Sequence, residues 1–75
     1  LERVAAFLIE MARRTGSDRS LHLAMPRHDI ADYLSLTLET VSRMFAELKD
    51  AGIIKLESAR QVTVLDMYKL EAMAT

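Results

Sequence analysis

Cysteine is absent from the chain, so neither a disulfide nor a thiolate-bound metal holds it together. Its 75 residues bury only roughly 60% of the surface their unfolded form exposes. Packing, or parts lying elsewhere, must therefore stabilise a single small domain spanning 1–75. Glycine occurs twice, at Gly16 and Gly52, and neither sits in a glycine-rich phosphate loop. No run of about 18 apolar residues exists, so no segment is suited to cross a membrane. An excess of one charge is lacking too. Lys and Arg number 10 against 11 Asp and Glu, a net charge of −1 at pH 7 with no Lys/Arg run. That balance weighs mildly against a nucleic-acid partner and implies low non-specific affinity for one, because few phosphates are neutralised.

What is present is 51% apolar and 28% charged, the balance of a folded domain rather than a disordered tail. The charges are unevenly placed. Residues 1–28 carry five Arg against three acids, residues 29–50 carry five acids against Arg43 and Lys49, and residues 51–75 balance. The chain starts at Leu1, already inside an apolar periodic pattern, and reads as a fragment of a longer protein. Lack of cysteine is compatible with the cytosol.

Residues 1–14 have the spacing of an amphipathic helix, with Leu1, Val4, Ala5, Leu8, Met11 and Ala12 on one face. Phe7 and Ile9 widen that face beyond one stripe, which points to a second partner surface such as a missing upstream portion. Gly16 ends the helix, and 16–20 reads as a loop. Residues 21–25, "LHLAM", alternate as a short strand. Pro26 suits the first turn of a helix over about 27–34. "SLT" breaks that helix, Thr37 is a good N-cap, and Glu39 lies in the first turn, where an acid suits the dipole. The next helix runs over about 38–51, with Val41, Phe45 and Leu48 on its core side, Leu38 and Met44 flanking, and Gly52 placed for a left-handed cap. Residues 53–58 and 61–64 read as a hairpin joined by "SAR". Asp66 caps a last helix whose Met67 and Leu70 face inward. The order is helix, strand, helix, helix, strand, strand, helix. It predicts a mainly α fold with a small β-hairpin, α+β in class, in the form of a winged helix-turn-helix.

The chemistry lies in residues 27–45, "RHDIADYLSLTLETVSRMF". Ile30, Ala31, Leu34, Leu36, Val41 and Phe45 occupy the positions such a motif must make apolar. Ala31 is small where two steeply crossing helices approach, and Leu36 plugs the turn. At about 100° per residue, Glu39, Ser42, Arg43 and Ala46 then share one exposed face. An Arg matches guanine O6/N7, a Glu matches cytosine N4 and a Ser matches either base in the major groove. The plain alternative is that Glu39 and Arg43, at i and i+4, form a surface ion pair worth about 0.2–0.5 kcal/mol. Thr37 and Thr40 flank the helix start, where a phosphate would meet backbone N–H groups. Arg60 at the hairpin tip, and Arg27 and His28 at the start of the earlier helix, are either phosphate contacts or solvated charges. His22 and His28 lack neighbours at metal-ligand spacing. His28 and Asp29, adjacent on a helix, are expected to point apart. No nucleophile–base constellation supports an enzyme.

"DIADYLSLTLETVSRMFAELKDAGII" resembles the DNA-binding domain of the CRP/FNR family of bacterial transcription regulators, and "LTLETVSR" is especially similar to its FNR/FixK-like branch. The likeness is strong over about 20–64 and looser at the terminal helices. It implies that Glu39, Ser42 and Arg43 read bases, in a TTGAT-like half-site repeated as a palindrome. Leu38 stands where the CRP-like branch has Arg, which argues against the CRP-type half-site. The family usually has Gly in the turn where this chain has Ser35, and a non-Gly residue in a left-handed turn costs about 1 kcal/mol. The resemblance further implies a cytoplasmic homodimer formed through an upstream helix, double-stranded DNA as partner with RNA polymerase as another, and an upstream sensor of unknown effector. It implies no cofactor within these residues. A second hypothesis, a winged-helix protein–protein interaction module without DNA binding, draws on the net charge and the acidic 29–50 segment.

Overall fold

A computed structural model describes residues 1–16 and 19–74, so residues 17 and 18 of the expected 16–20 loop lie outside the described residues. The elements run α1 (Glu2–Thr15), β1 (Ser20–His22), α2 (Arg27–Leu34), α3 (Leu38–Asp50), β2 (Ile54–Leu56), β3 (Gln61–Val64) and α4 (Met67–Met73). This is the expected order, and the fold is an α+β winged helix-turn-helix.

The local chemistry of each helix end is visible. Gly16 closes α1 in the left-handed region at φ 73°. Asp66 caps α4 by accepting the Lys69 N–H at 3.0 Å. Thr37 caps α3, its hydroxyl oxygen accepting the Thr40 N–H at 3.1 Å. At the far end of α3, Gly52 (φ 75°) and Ile53 form a Schellman motif: their N–H groups donate to Lys49 and Leu48 carbonyls, each at 3.0 Å. The break between α2 and α3 uses the same device. Ser35 lies at φ 58°, its N–H donates to the Asp32 carbonyl at 3.2 Å, and the Leu36 N–H donates to the Ala31 carbonyl at 2.8 Å. Ser35 is the one non-glycine residue with positive φ among the described residues.

The strands depart from expectation in two ways. First, β1 covers 20–22 rather than 21–25. Leu23 still donates its N–H to the Arg60 carbonyl at 2.7 Å, but Pro26, which has no N–H, then leads into α2. Second, the wing is not a lone hairpin. β1 pairs antiparallel with β3, setting Leu21 opposite Val62, and β2 flanks β3 on its other side, giving the order β1-β3-β2. A third strand helps an otherwise marginal two-stranded hairpin to persist.

The core joins all the elements: Leu8 of α1, Leu21, Ile30, Val41, Phe45, Leu48, Ile54, Val62 and Leu70 are fully or almost fully buried. Phe7 and Ile9, read from the sequence as facing a further partner, are also buried here. The reason is that α1 packs on α4, β1 and α3 together, and Phe7 meets the Tyr33 ring at 5.9 Å between centroids. Three neighbours use a face too wide for one.

Candidate nucleic-acid interface

The opposite faces of α3 divide cleanly. Val41, Phe45 and Leu48 are buried, while Glu39, Ser42, Arg43 and Ala46 are exposed. The exposed set is the one the periodicity selected. Glu39 and Arg43 stand a turn apart, yet among the described residues no ion pair within 4 Å joins them. The pairs formed are Glu10–Arg14, His28–Asp29 and Lys55–Glu57. The Arg43 guanidinium and the Glu39 carboxylate are thus not committed to each other, which removes the main support for reading them as an ion pair alone.

Leu38 changes its standing. Sequence spacing set it beside the core, but it is 48% exposed at the head of α3 next to Glu39. A first-turn residue lies over no preceding turn, so period alone does not assign its face. An apolar side chain there extends the exposed face.

Around this face sit the other expected residues. The Thr37 hydroxyl donates to the Thr40 hydroxyl at 2.8 Å while accepting the Thr40 N–H, so the two threonines form one closed unit at the start of α3. His28 is exposed, and its Nε2 lies 3.3 Å from Asp29 Oδ1. That corrects the expectation that the two point apart. In the first turn of α2 no preceding turn restrains them, so the imidazole folds over its neighbour. Arg60 stands at the wing tip, where its guanidinium donates to the Ala24 carbonyl at 3.3 Å. The Ser58 hydroxyl oxygen accepts the Arg60 and Gln61 N–H groups, which fixes the tip.

Arg27 is the exception. Its guanidinium carbon lies 3.8 Å from the centroid of the Phe45 ring, one nitrogen, Nη1, is buried without a hydrogen-bond partner, and desolvation lowers its pKa from the ordinary arginine value. For a half-buried arginine such a cation–π contact contributes about 0.5–2 kcal/mol. An unsatisfied buried donor costs about 1–3 kcal/mol. The two effects roughly cancel. An apolar residue of similar length would avoid the second, so stability alone does not account for an arginine here. Composition and period gave no sign of this contact, because the two residues lie on different helices.

The geometry matches known proteins closely. A family model for the Crp-like helix-turn-helix domain matches residues 2–73. The nitrogen fixation regulation protein FixK of Rhizobium meliloti is 49% identical over 73 residues, which cover 97% of this chain and 33% of that protein. The transcriptional activator protein FnrL of Cereibacter sphaeroides is 40% identical over 77 residues, 92% of this chain and 31% of that protein. Among solved structures, FixK2 from Bradyrhizobium japonicum superimposes with a TM-score of 0.92 at 44% identity, covering 99% of this chain and 37% of that one. The chain thus spans about a third of the length of the curated relatives it matches. Matched by the family model over almost its whole length, it belongs to the CRP/FNR family as a Crp-like helix-turn-helix domain.

Proposed function

We propose that this domain binds double-stranded DNA sequence-specifically as part of a bacterial, cytoplasmic transcription regulator, with α3 lying in the major groove. The observation that carries the reading is the division of α3: an apolar back seated in the core, and Glu39, Ser42 and Arg43 exposed together and unpaired with one another. Arg43 offers two parallel donors to guanine O6 and N7, Glu39 accepts from cytosine N4, and Ser42 serves either base. Leu38 supplies apolar contact for a thymine methyl. The half-site that the resemblance to the FNR/FixK-like branch implies is TTGAT-like. His28, Thr37, Thr40 and Arg60 approach phosphates around it, Thr37 through its backbone N–H at the open end of α3. Arg27 belongs to the same expected set, with its guanidinium over Phe45 and one nitrogen, Nη1, closed off. The domain binds and makes no bonds. In the longer polypeptide that the relatives' length suggests, an upstream helix dimerises it on a palindrome, and RNA polymerase is the further partner.

The test compares parent, Arg43→Ala and Glu39→Ala on matched and single-mismatch half-sites at one salt concentration. Each base contact is worth about 1–3 kcal/mol of discrimination. Arg43→Ala is expected to weaken the matched site strongly and scrambled DNA little. Glu39→Ala relaxes specificity while keeping or raising non-specific affinity, since an acid near phosphates is repelled unless it has a specific acceptor role. Retention of the parent's sequence preference by both variants would sink the reading and leave these residues as ordinary surface charges. The net charge of −1 favours one rival, a protein-interaction module. Binding that does not weaken with salt would support that rival, because contacts with phosphates release counterions and apolar contacts do not.

A further inference from the structure

We propose that Arg27 is a positioning residue for base reading: stacked on Phe45, it sets the rotation of α3 about its own axis and so aims Glu39 and Arg43. The inference rests on the DNA-reading function proposed above.

Three features of the geometry lead to it. The guanidinium carbon is 3.8 Å from the Phe45 ring centroid, and Phe45 is 1% exposed at the back of the helix whose front carries the reading residues. Nη1 is closed off from solvent and has no partner, so that edge of the group meets no phosphate. Arg27 is also the first residue of α2, next to Pro26, so its backbone is held while its side chain reaches across to α3. Burial lowers the pKa of the group, the sign of a charge kept in place at a cost.

A flat cation over a flat ring has few satisfactory arrangements, whereas an aliphatic chain over the same ring has many. Val41, Phe45 and Leu48 seat α3 in the core, and the Arg27 contact restrains the Phe45 ring further, narrowing the rotation left to the helix. The consequence for reading is one of leverage. A side-chain tip lies about 5–6 Å from the helix axis, so a rotation of about 10° carries it about 1 Å. Productive site geometry tolerates about 0.5 Å. A loosened α3 still presents an Arg and a Glu, but not at the atoms they are to meet.

The experiment uses the full chain and reads the ratio of affinities for the preferred duplex and a scrambled duplex of equal length, at fixed salt and well below the melting temperature. Variants are Arg27→Met, which keeps apolar volume, Arg27→Lys, which keeps the charge and loses the plane, and each of these with Phe45→Leu, which removes the ring. Both single variants are expected to lower the ratio about ten-fold and to change scrambled-DNA affinity by less than about two-fold, with an unchanged salt slope. In the Phe45→Leu background neither should lower the ratio further. A phosphate role predicts otherwise: equal loss on both duplexes, a salt slope smaller by about 1, and rescue by Lys. That pattern overturns the proposal, as does a folded variant with the parent's ratio. If both variants fail to fold, Arg27 is a core-stability residue and the proposal also falls. Arg43→Ala runs alongside. A parent with no preference to lose condemns the DNA reading itself, whereas loss with Arg43→Ala but not with Arg27→Met condemns only the positioning role.

Discussion

Phe45 makes two kinds of contact on the buried side of α3. Its ring is buried among the core side chains, and it carries the Arg27 guanidinium. Truncating a buried Phe costs about 3–5 kcal/mol, and a core of this size rarely supplies more than about 3–5 kcal/mol in total. Phe45→Ala is therefore expected to leave the domain largely unfolded at 25 °C. Phe45→Leu keeps most of the apolar volume but removes the ring beneath the Arg27 guanidinium, and should cost about 1–3 kcal/mol. Urea denaturation followed by circular dichroism checks both. An alanine variant with the parent's midpoint would mean that the buried face of α3 has been misassigned. The exposed residues behave differently. Arg43, Glu39 and Ser42 lie on the solvent side, and their replacement is expected to shift stability by no more than about 0.5 kcal/mol. Mutations on the two faces thus separate folding from reading.

The turn between α2 and α3 is the element most open to improvement. Ser35 holds φ 58° inside a Schellman motif, where a side chain costs about 1 kcal/mol. Glycine removes that strain but adds backbone entropy to the unfolded chain, worth about 0.4–1 kcal/mol. Ser35→Gly is expected to stabilise the domain by less than about 1 kcal/mol, a rise of about 4–8 °C in Tm per kcal/mol for a domain of this size. Ser35→Val, β-branched at positive φ, should lower Tm. A glycine variant that melts below the parent would show that the serine hydroxyl makes up for its strain. At the next cap, Thr37→Ala should cost about 1 kcal/mol, because the Thr40 N–H loses its acceptor.

These elements were legible in the sequence for physical reasons. Periods of 3.6 and 2, one proline and two glycines suffice to place seven elements, and the caps at Thr37 and Asp66 follow from side-chain chemistry alone. The contacts that period does not encode stayed hidden. The pairing of β1 with β3 joins residues about forty positions apart, Arg27 reaches a ring on another helix, and the surplus width of α1 looked like an open face until α4 and the sheet were in place. Near helix starts, where no preceding turn constrains a side chain, the facing of Leu38 and of the His28–Asp29 pair escaped the same rule.

The size of the whole molecule bears on how it would hold DNA. Its Cα atoms span 26 × 22 × 22 Å, while recognition helices in successive major grooves of a palindrome lie about 34 Å apart. Two bodies of this size can sit side by side on one face of the duplex. In the dimer proposed above, an upstream helix outside these 75 residues couples the half-sites. The net charge of −1 sharpens the consequence, since each copy would neutralise few phosphates and would bind a half-site weakly by itself. The isolated domain should bind a palindrome non-cooperatively and be indifferent to the spacing of its halves. The dimeric protein should bind far more tightly and depend on spacing. Inserting five base pairs between the halves turns them about half a helical turn apart, onto opposite faces of the duplex. The dimer's affinity should then fall toward that for one half-site, while the domain's stays as it was. Titrating both proteins against both duplexes at one salt concentration decides the matter. Equal affinity of the dimer for the two spacings would exclude two recognition helices acting together on one face of the DNA.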